Sequence, residues 1–175
     1  MNENAPLMKR AAALIARRAY SRGELRRKLA AAQFAGNDGV AGSADEIETV
    51  LDRLEHLSLL NDAEYAYDFT FHRIKDSGWG EEKIREALLD RDIAKAVVDQ
   101  AIERVREEIA PEGIHDALME YVEGYCRKHG TPSNLKGAQK LAGHLARRGF
   151  DEDRIIGALR QVVSPEVFRH FEQGE

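Results

Sequence analysis

Residues 80–89 read GEEKIREALL, and their spacing decides the architecture. Two apolar side chains, Ile84 and Leu88, stand four apart among charged ones, which is the pattern of a short helix with one buried stripe. The stripe recurs upstream in residues 21–30, SRGELRRKLA, where Leu25 and Leu29 lie 59 positions earlier. It recurs downstream in residues 137–146, GAQKLAGHLA, where Leu141 and Leu145 lie 57 positions later. Each is followed by a second helical pattern: Ile47, Val50, Leu51 and Leu54 correspond to Val98, Ala101, Ile102 and Val105, then to Ile155, Ala158, Leu159 and Val162. Leu88 to Val98 and Leu145 to Ile155 each span 10 residues, whereas Leu29 to Ile47 spans 18. The expected fold class is all-α: three tandem three-helix repeats at residues 1–60, 61–110 and 111–175. The first carries a loop insertion near 35–44, and the third a C-terminal extension, SPEVFRHFEQGE. Units of this kind bury faces against their neighbours, so the expected form is an elongated, curved, right-handed helical array.

The other helices follow from local signals. Ala11, Leu14 and Ile15 mark a first helix ending near Tyr20, and Ser21 with Glu24 has the spacing of a capping box that starts the second. The stretch AGNDGVAGSAD, residues 35–45, is a loop, and Asp45 is expected to open the third helix. Asn61 and Asp62 supply the cap of a fourth, and Ser77 with Gly78 stops it.

Composition agrees. Hydrophobic residues make up 43% of the 175 and charged residues 33%, with only four prolines to interrupt helices. A single cysteine, Cys126, excludes an internal disulfide and fits a reducing compartment. No apolar run approaches a membrane span, and MNENAPLMKR lacks the pattern of a secretory signal, so a cytoplasmic location and no membrane partner are expected. The net charge of -5 is unevenly spread: residues 1–44 sum to +5, residues 45–110 to -9 and residues 111–175 to -1. A basic end beside an acidic middle points to an anionic partner that touches part of the chain.

These motifs resemble a known family, the RecX regulatory proteins of bacteria. The likeness rests on RRAYSRGELRRKL, on VLDRLEHLSLLNDAEYA, and on Arg73, Gly78 and the run from Gly80 to Leu88, within the three-repeat layout. It spans residues from about 10 to 163 and is weakest in the third repeat. The resemblance implies a recombinase inhibitor, a protein that docks in the groove of the RecA–DNA filament and inhibits ATP hydrolysis and strand exchange. It would thereby modulate homologous recombination, DNA repair and the SOS response. The implied partners are the RecA filament and single- and double-stranded DNA, directly or through the filament; no cofactor and no catalysis of its own are implied.

Candidate contact residues come from the charge pattern. Residues 9–28 hold Lys9, Arg10, Arg17, Arg18, Arg22, Arg26, Arg27 and Lys28 against Glu24 alone. On a helical wheel Arg27 lies opposite the Leu25–Leu29 stripe, with Arg26 and Lys28 at its flanks. In the third repeat Lys136, Lys140 and Arg147 fall within about 40° of one another, with His144 beside them, and Arg148 is a further candidate contact. Either set suits a phosphate-bearing or acidic partner, or else an ordinary solvated face whose arginine stems shield alanines. A nucleic-acid-binding helical module that works without RecA fits the same pattern.

Other features read as structural. Trp79, between two glycines, is expected to be a packing anchor or, if exposed, a hot spot for a partner. Cys126 and His129 offer two metal donors with no second pair to complete a site. Glu81–Glu82 and Glu107–Glu108 sit in charged surface stretches, and neither a phosphate-binding glycine loop nor a nucleophile elbow is present, so no catalytic residue is assigned.

Overall fold

The structure is a computed structural model that describes residues 5–31, 42–109 and 111–173. Ten helices run through those residues, and no strand occurs among them. They are α1 (Ala5–Ile15), α2 (Arg22–Ala31), α3 (Ala44–His56), α4 (Asp62–Lys75), α5 (Glu81–Leu89), α6 (Lys95–Glu108), α7 (Pro111–His129), α8 (Leu135–Arg147), α9 (Glu152–Val162) and α10 (Pro165–Gln173). The expected loop insertion lies outside the described residues except for residues 42–44.

Helix starts follow their caps. The Ser21 hydroxyl accepts the Glu24 N–H at 3.1 Å while the Glu24 carboxylate accepts the Ser21 N–H at 3.3 Å, as the sequence spacing predicts. α3 begins earlier than expected, because Ser43 and Glu46 form their own capping box upstream of Asp45. α1 ends at Ile15, short of Tyr20. The Asn61 side chain caps α4, accepting the N–H groups of Ala63 at 3.0 Å and Glu64 at 3.2 Å. Asp62 does something different: its carboxylate accepts the Arg22 N–H at 2.7 Å and so caps α2, 40 residues away.

The described chain falls into two compact units, residues 1–66 with 88–101 and residues 67–87 with 102–175. In the first, α1, α2 and α3 close over Leu7, Ala11, Leu25, Leu29, Ile47, Val50, Leu51 and Leu54. In the second, α7, α8, α9 and α10 enclose Leu118, Val122, Leu141, Leu145, Leu159 and Phe168. The extension beyond the last expected repeat helix is thus itself helical, with Val167 and Phe168 buried. Leu25, Leu29, Ile84, Leu88, Leu141 and Leu145, the six stripe residues, are all 0% exposed.

Each unit contains the same joint. In the first, the buried Ser21 hydroxyl donates to the Arg91 carbonyl at 2.8 Å, in the turn after α5. In the second, the Gly80 N–H donates to the Arg148 carbonyl at 2.7 Å, in the turn after α8. Arg91 and Arg148 are 57 residues apart, as are Asp92 and Gly149 beside them, which both adopt left-handed backbone with φ of 58° and 83°. A side chain at position 80 would collide with the Gly149 carbonyl, so the second joint closes only on glycine.

Candidate partner interface

The first unit carries the arginine-rich start of α2, and the fold gives most of those charges a partner. Arg22 reaches across to α3 and donates to Glu48 and Asp52 at 2.7 Å and to Glu55 at 2.6 Å, leaving its side chain 20% exposed. Burial works against this charge, but the bonds to Asp52 and Glu48 outweigh it and hold the guanidinium above its usual value. Arg26 donates to Glu48 from Nε at 2.5 Å, and the bonds from Arg26 and then Arg22 pull the Glu48 carboxyl down to about 2. Arg27 donates to the Asp90 carbonyl at 2.9 Å and pairs with Asp92 at 3.3 Å. Arg18 lies over the Tyr20 ring at 3.6 Å and pairs with Glu24 at 3.3 Å.

The expectation that Glu24 alone opposes these cations therefore fails: α3 neutralises Arg22 and Arg26. Arg17 and Lys28 are exposed, Arg10 is half-buried, and none of the three has an ion pair among the described residues.

A tighter polar cluster sits behind them. The Tyr65 hydroxyl donates to Glu24 at 3.2 Å and accepts from Arg91 Nε at 3.1 Å. Burial pushes the Glu24 carboxyl up, yet the bonds from Arg18 and the Ser21 N–H win and hold it below the usual range. Burial raises Asp62, and the Arg22 N–H only partly offsets that.

On α8 of the second unit the charges are arranged differently. Lys136, Lys140 and Arg147 are exposed and unpaired among the described residues. His144, one turn from Lys140, is turned inward: its Nε2 meets the Tyr121 hydroxyl at 2.6 Å, and Tyr125 covers it with ring centres 4.7 Å apart. Burial, then Arg148 and Arg147, holds its imidazole below the usual value. Arg148 does not join the stripe: its guanidinium donates to the Ser77 carbonyl at 2.8 Å and lies 4.4 Å over the Tyr121 ring.

The remaining sequence assignments resolve as follows. Trp79 is clasped between the Arg73 guanidinium at 4.6 Å and Lys83 Nζ at 4.4 Å, with Phe69 edge-on at 6.1 Å. Glu81 is not a surface carboxylate: it is 9% exposed and bound by Arg106 and by Arg154, the latter at 3.1 Å. Cys126 is half-buried, and burial pushes its thiol up. The described residues hold no cluster of three metal donors and no helix long and apolar enough to cross a membrane. Tyr121 and Tyr125 of α7 escaped the sequence reading, and His129 was read only as a metal donor, although the four-residue spacing of the three was available as a signal.

A body helical throughout its described residues, with a helix start bonded to a turn carbonyl in each unit and unpaired cations on α8, has the makings of a binding protein. Comparison with known proteins names its kind. Residues 61–102 match the family model described as "RecX, second three-helix domain". The regulatory protein RecX of Pseudomonas putida strain GB-1 is 36% identical over 147 residues, 83% of each chain. That of Ectopseudomonas mendocina is 34% identical over 164 residues, covering 91% of this chain and 97% of the relative. The crystal structure of RecX from Lactobacillus salivarius superposes with a TM-score of 0.69 at 17% identity, over 90% of this chain and 95% of that one. A second RecX crystal structure gives 0.71 at 17% identity, over 90% and 73%. This chain belongs to the RecX family of regulatory proteins.

Proposed function

We propose that this protein binds the RecA–DNA filament and restrains recombinase activity, and that it does so through unpaired cations on its helices rather than through chemistry of its own. The observation that carries the reading is the α8 row of Lys136, Lys140 and Arg147, exposed and unpaired among the described residues. A polyanionic filament groove would draw those charges without first breaking protein ion pairs. Arg17 and Lys28 extend the same role to the first unit, with Arg10 beside them. Arg18, Arg22, Arg26, Arg27 and Arg148 have partners already, and their first task is to hold helices together. We also propose that the functional body is three tandem repeats divided near residues 60 and 110, since the buried stripes and the duplicated joint recur at that period.

The test is RecA-dependent ATP hydrolysis on single-stranded DNA with the protein titrated in. Progressive suppression is expected, and an unchanged rate at every ratio would remove the proposal. The α8 row also favours a second reading, a nucleic-acid-binding module independent of RecA. That reading predicts steeply salt-dependent binding to bare DNA.

A further inference from the structure

The proposed function makes no use of a groove beside α7. A groove of about 520 Å³ opens in the second unit, lined by the end of α4, by α7 and by His144 of α8. One face of α7 buries Leu118 and Val122 in the core. The face turned to the groove carries Tyr121 between the small residues Ala117 and Gly124, and Tyr125 beside Lys128 and His129.

The rings form a surface. Tyr121 and His144 are nearly parallel, 3° apart, with centres 6.0 Å apart. Their hydroxyl-to-nitrogen contact is 2.6 Å, so the two planes are closer than the roughly 3.5 Å at which rings stack. The rings therefore lie side by side and make one flat platform. Tyr125 leans on it, tilted 35° to His144, and His129 covers Tyr125 with ring centres 4.5 Å apart.

Charge surrounds the rings. Lys75, Arg127 and Lys128 line the groove, and so do the carboxylates of Asp76 and Glu120. Asp76 is engaged by His72 Nδ1 at 2.9 Å, and Arg127 by Glu123 at 3.8 Å. The groove thus offers flat ring faces, one of which, on Tyr121, already carries the Arg148 guanidinium at 4.4 Å, with three cations and two carboxylates at the edge. A ligand that fits it has flat rings of its own and negative charge between them. Unpaired bases on a phosphate backbone have both, whereas a duplex hides its base faces in the stack and an acidic peptide brings charge without rings.

We propose that this groove takes one or two unpaired bases of a single-stranded nucleic acid, stacked on the Tyr121, Tyr125, His129 and His144 rings, with Lys75, Arg127 and Lys128 against the adjoining phosphates. The proposal deepens the filament reading and rests on it for biological setting, but its test uses no RecA. Fluorescence anisotropy of a labelled short oligothymidylate is measured with the full-length protein, its Tyr125→Ala and Tyr125→Phe variants, and an abasic strand of equal length.

Tyr125→Ala is expected to weaken binding by about 5- to 150-fold, the range for one lost stacking partner, and Tyr125→Phe to restore it. The abasic strand is expected to bind the unaltered protein no better than oligothymidylate binds Tyr125→Ala. Equal binding of the two strands by the unaltered protein overturns the proposal, and that comparison needs no variant to fold. Displacement of oligothymidylate by polyglutamate at equal charge also overturns it, in favour of an acidic peptide partner. Suppression of RecA-dependent ATP hydrolysis without ring-dependent binding sinks the groove and leaves the filament reading standing. Ring-dependent binding without suppression sinks the filament reading and keeps the groove.

Discussion

The start of α2 carries Arg22, Arg26 and Arg27, and α8 carries Lys136, Lys140 and Arg147, but the two sets of cations meet different neighbours. Arg22 and Arg26 face an α3 that presents Glu48, Asp52 and Glu55 at helical spacing. At the sequence offset that aligns Ile47 with Ile155, those three positions are Ile156, Arg160 and Val163, so the segment after α8 has no carboxylates to offer there. The two helices are alike in their buried stripes, and the helix that follows decides whether a basic helix is neutralised or left open. Charge that has been matched inside the fold stabilises it, while unmatched charge remains for a partner.

The largest expected effect tests the matched side. Arg22→Met removes the cation that three carboxylates share, and breaking a fully buried pair in this way costs about 3–5 kcal/mol. Arg22 is 20% exposed and its partners 40–69%, so solvent recovers much of that. A loss of about 1–2 kcal/mol is expected, read as a fall in Tm of about 2–8 °C in thermal unfolding. Lys140→Met should leave Tm within the scatter of surface substitutions. Equal losses at the two positions would break the comparison.

The next effect tests the open side. Replacing Lys136, Lys140 and Arg147 with glutamine should lower the slope of log affinity against log salt for single-stranded DNA by about 2, since each phosphate contact contributes about 0.7. Affinity at low salt falls accordingly, with no change in Tm. An unaltered salt slope would mean that the row is only a solvated face.

What could be read in the sequence was what neighbouring residues settle among themselves. The Ser21–Glu24 capping box, the buried stripes and the Asn61 cap all act within a turn or two, and each appears as expected. α3 starts one residue earlier than its expected opening at Asp45 because Ser43, hidden in a run of loop-forming residues, is the better cap. The rest depended on distance. Asp62 caps a helix 40 residues away, Arg22 finds Glu48 26 residues away, and Glu81 binds Arg154 73 residues away. No local pattern carries such pairings. On a wheel His144 belongs beside Lys140, and only the tyrosines of α7 explain why it faces inward.

The smallest expected effect is the sharpest test of how α3 and α2 are matched. Glu48 titrates near 2 in the folded protein because Arg26 and Arg22 bond its ionised form, whereas its usual value is 4.5. Its depressed value means that its contribution to stability is complete above pH 4.5 and is lost as the pH falls through that window towards 2. The side chain is 40% exposed, so solvent screening holds the contribution below about 1 kcal/mol. Denaturant unfolding of the unaltered protein and Glu48→Gln should therefore differ near neutrality and converge at about pH 2. Other carboxylates titrate in both proteins, so only the difference between the curves reports Glu48. A difference that survives undiminished at the acid end would show that the residue acts through packing, and that α3 meets the arginines by shape rather than by charge.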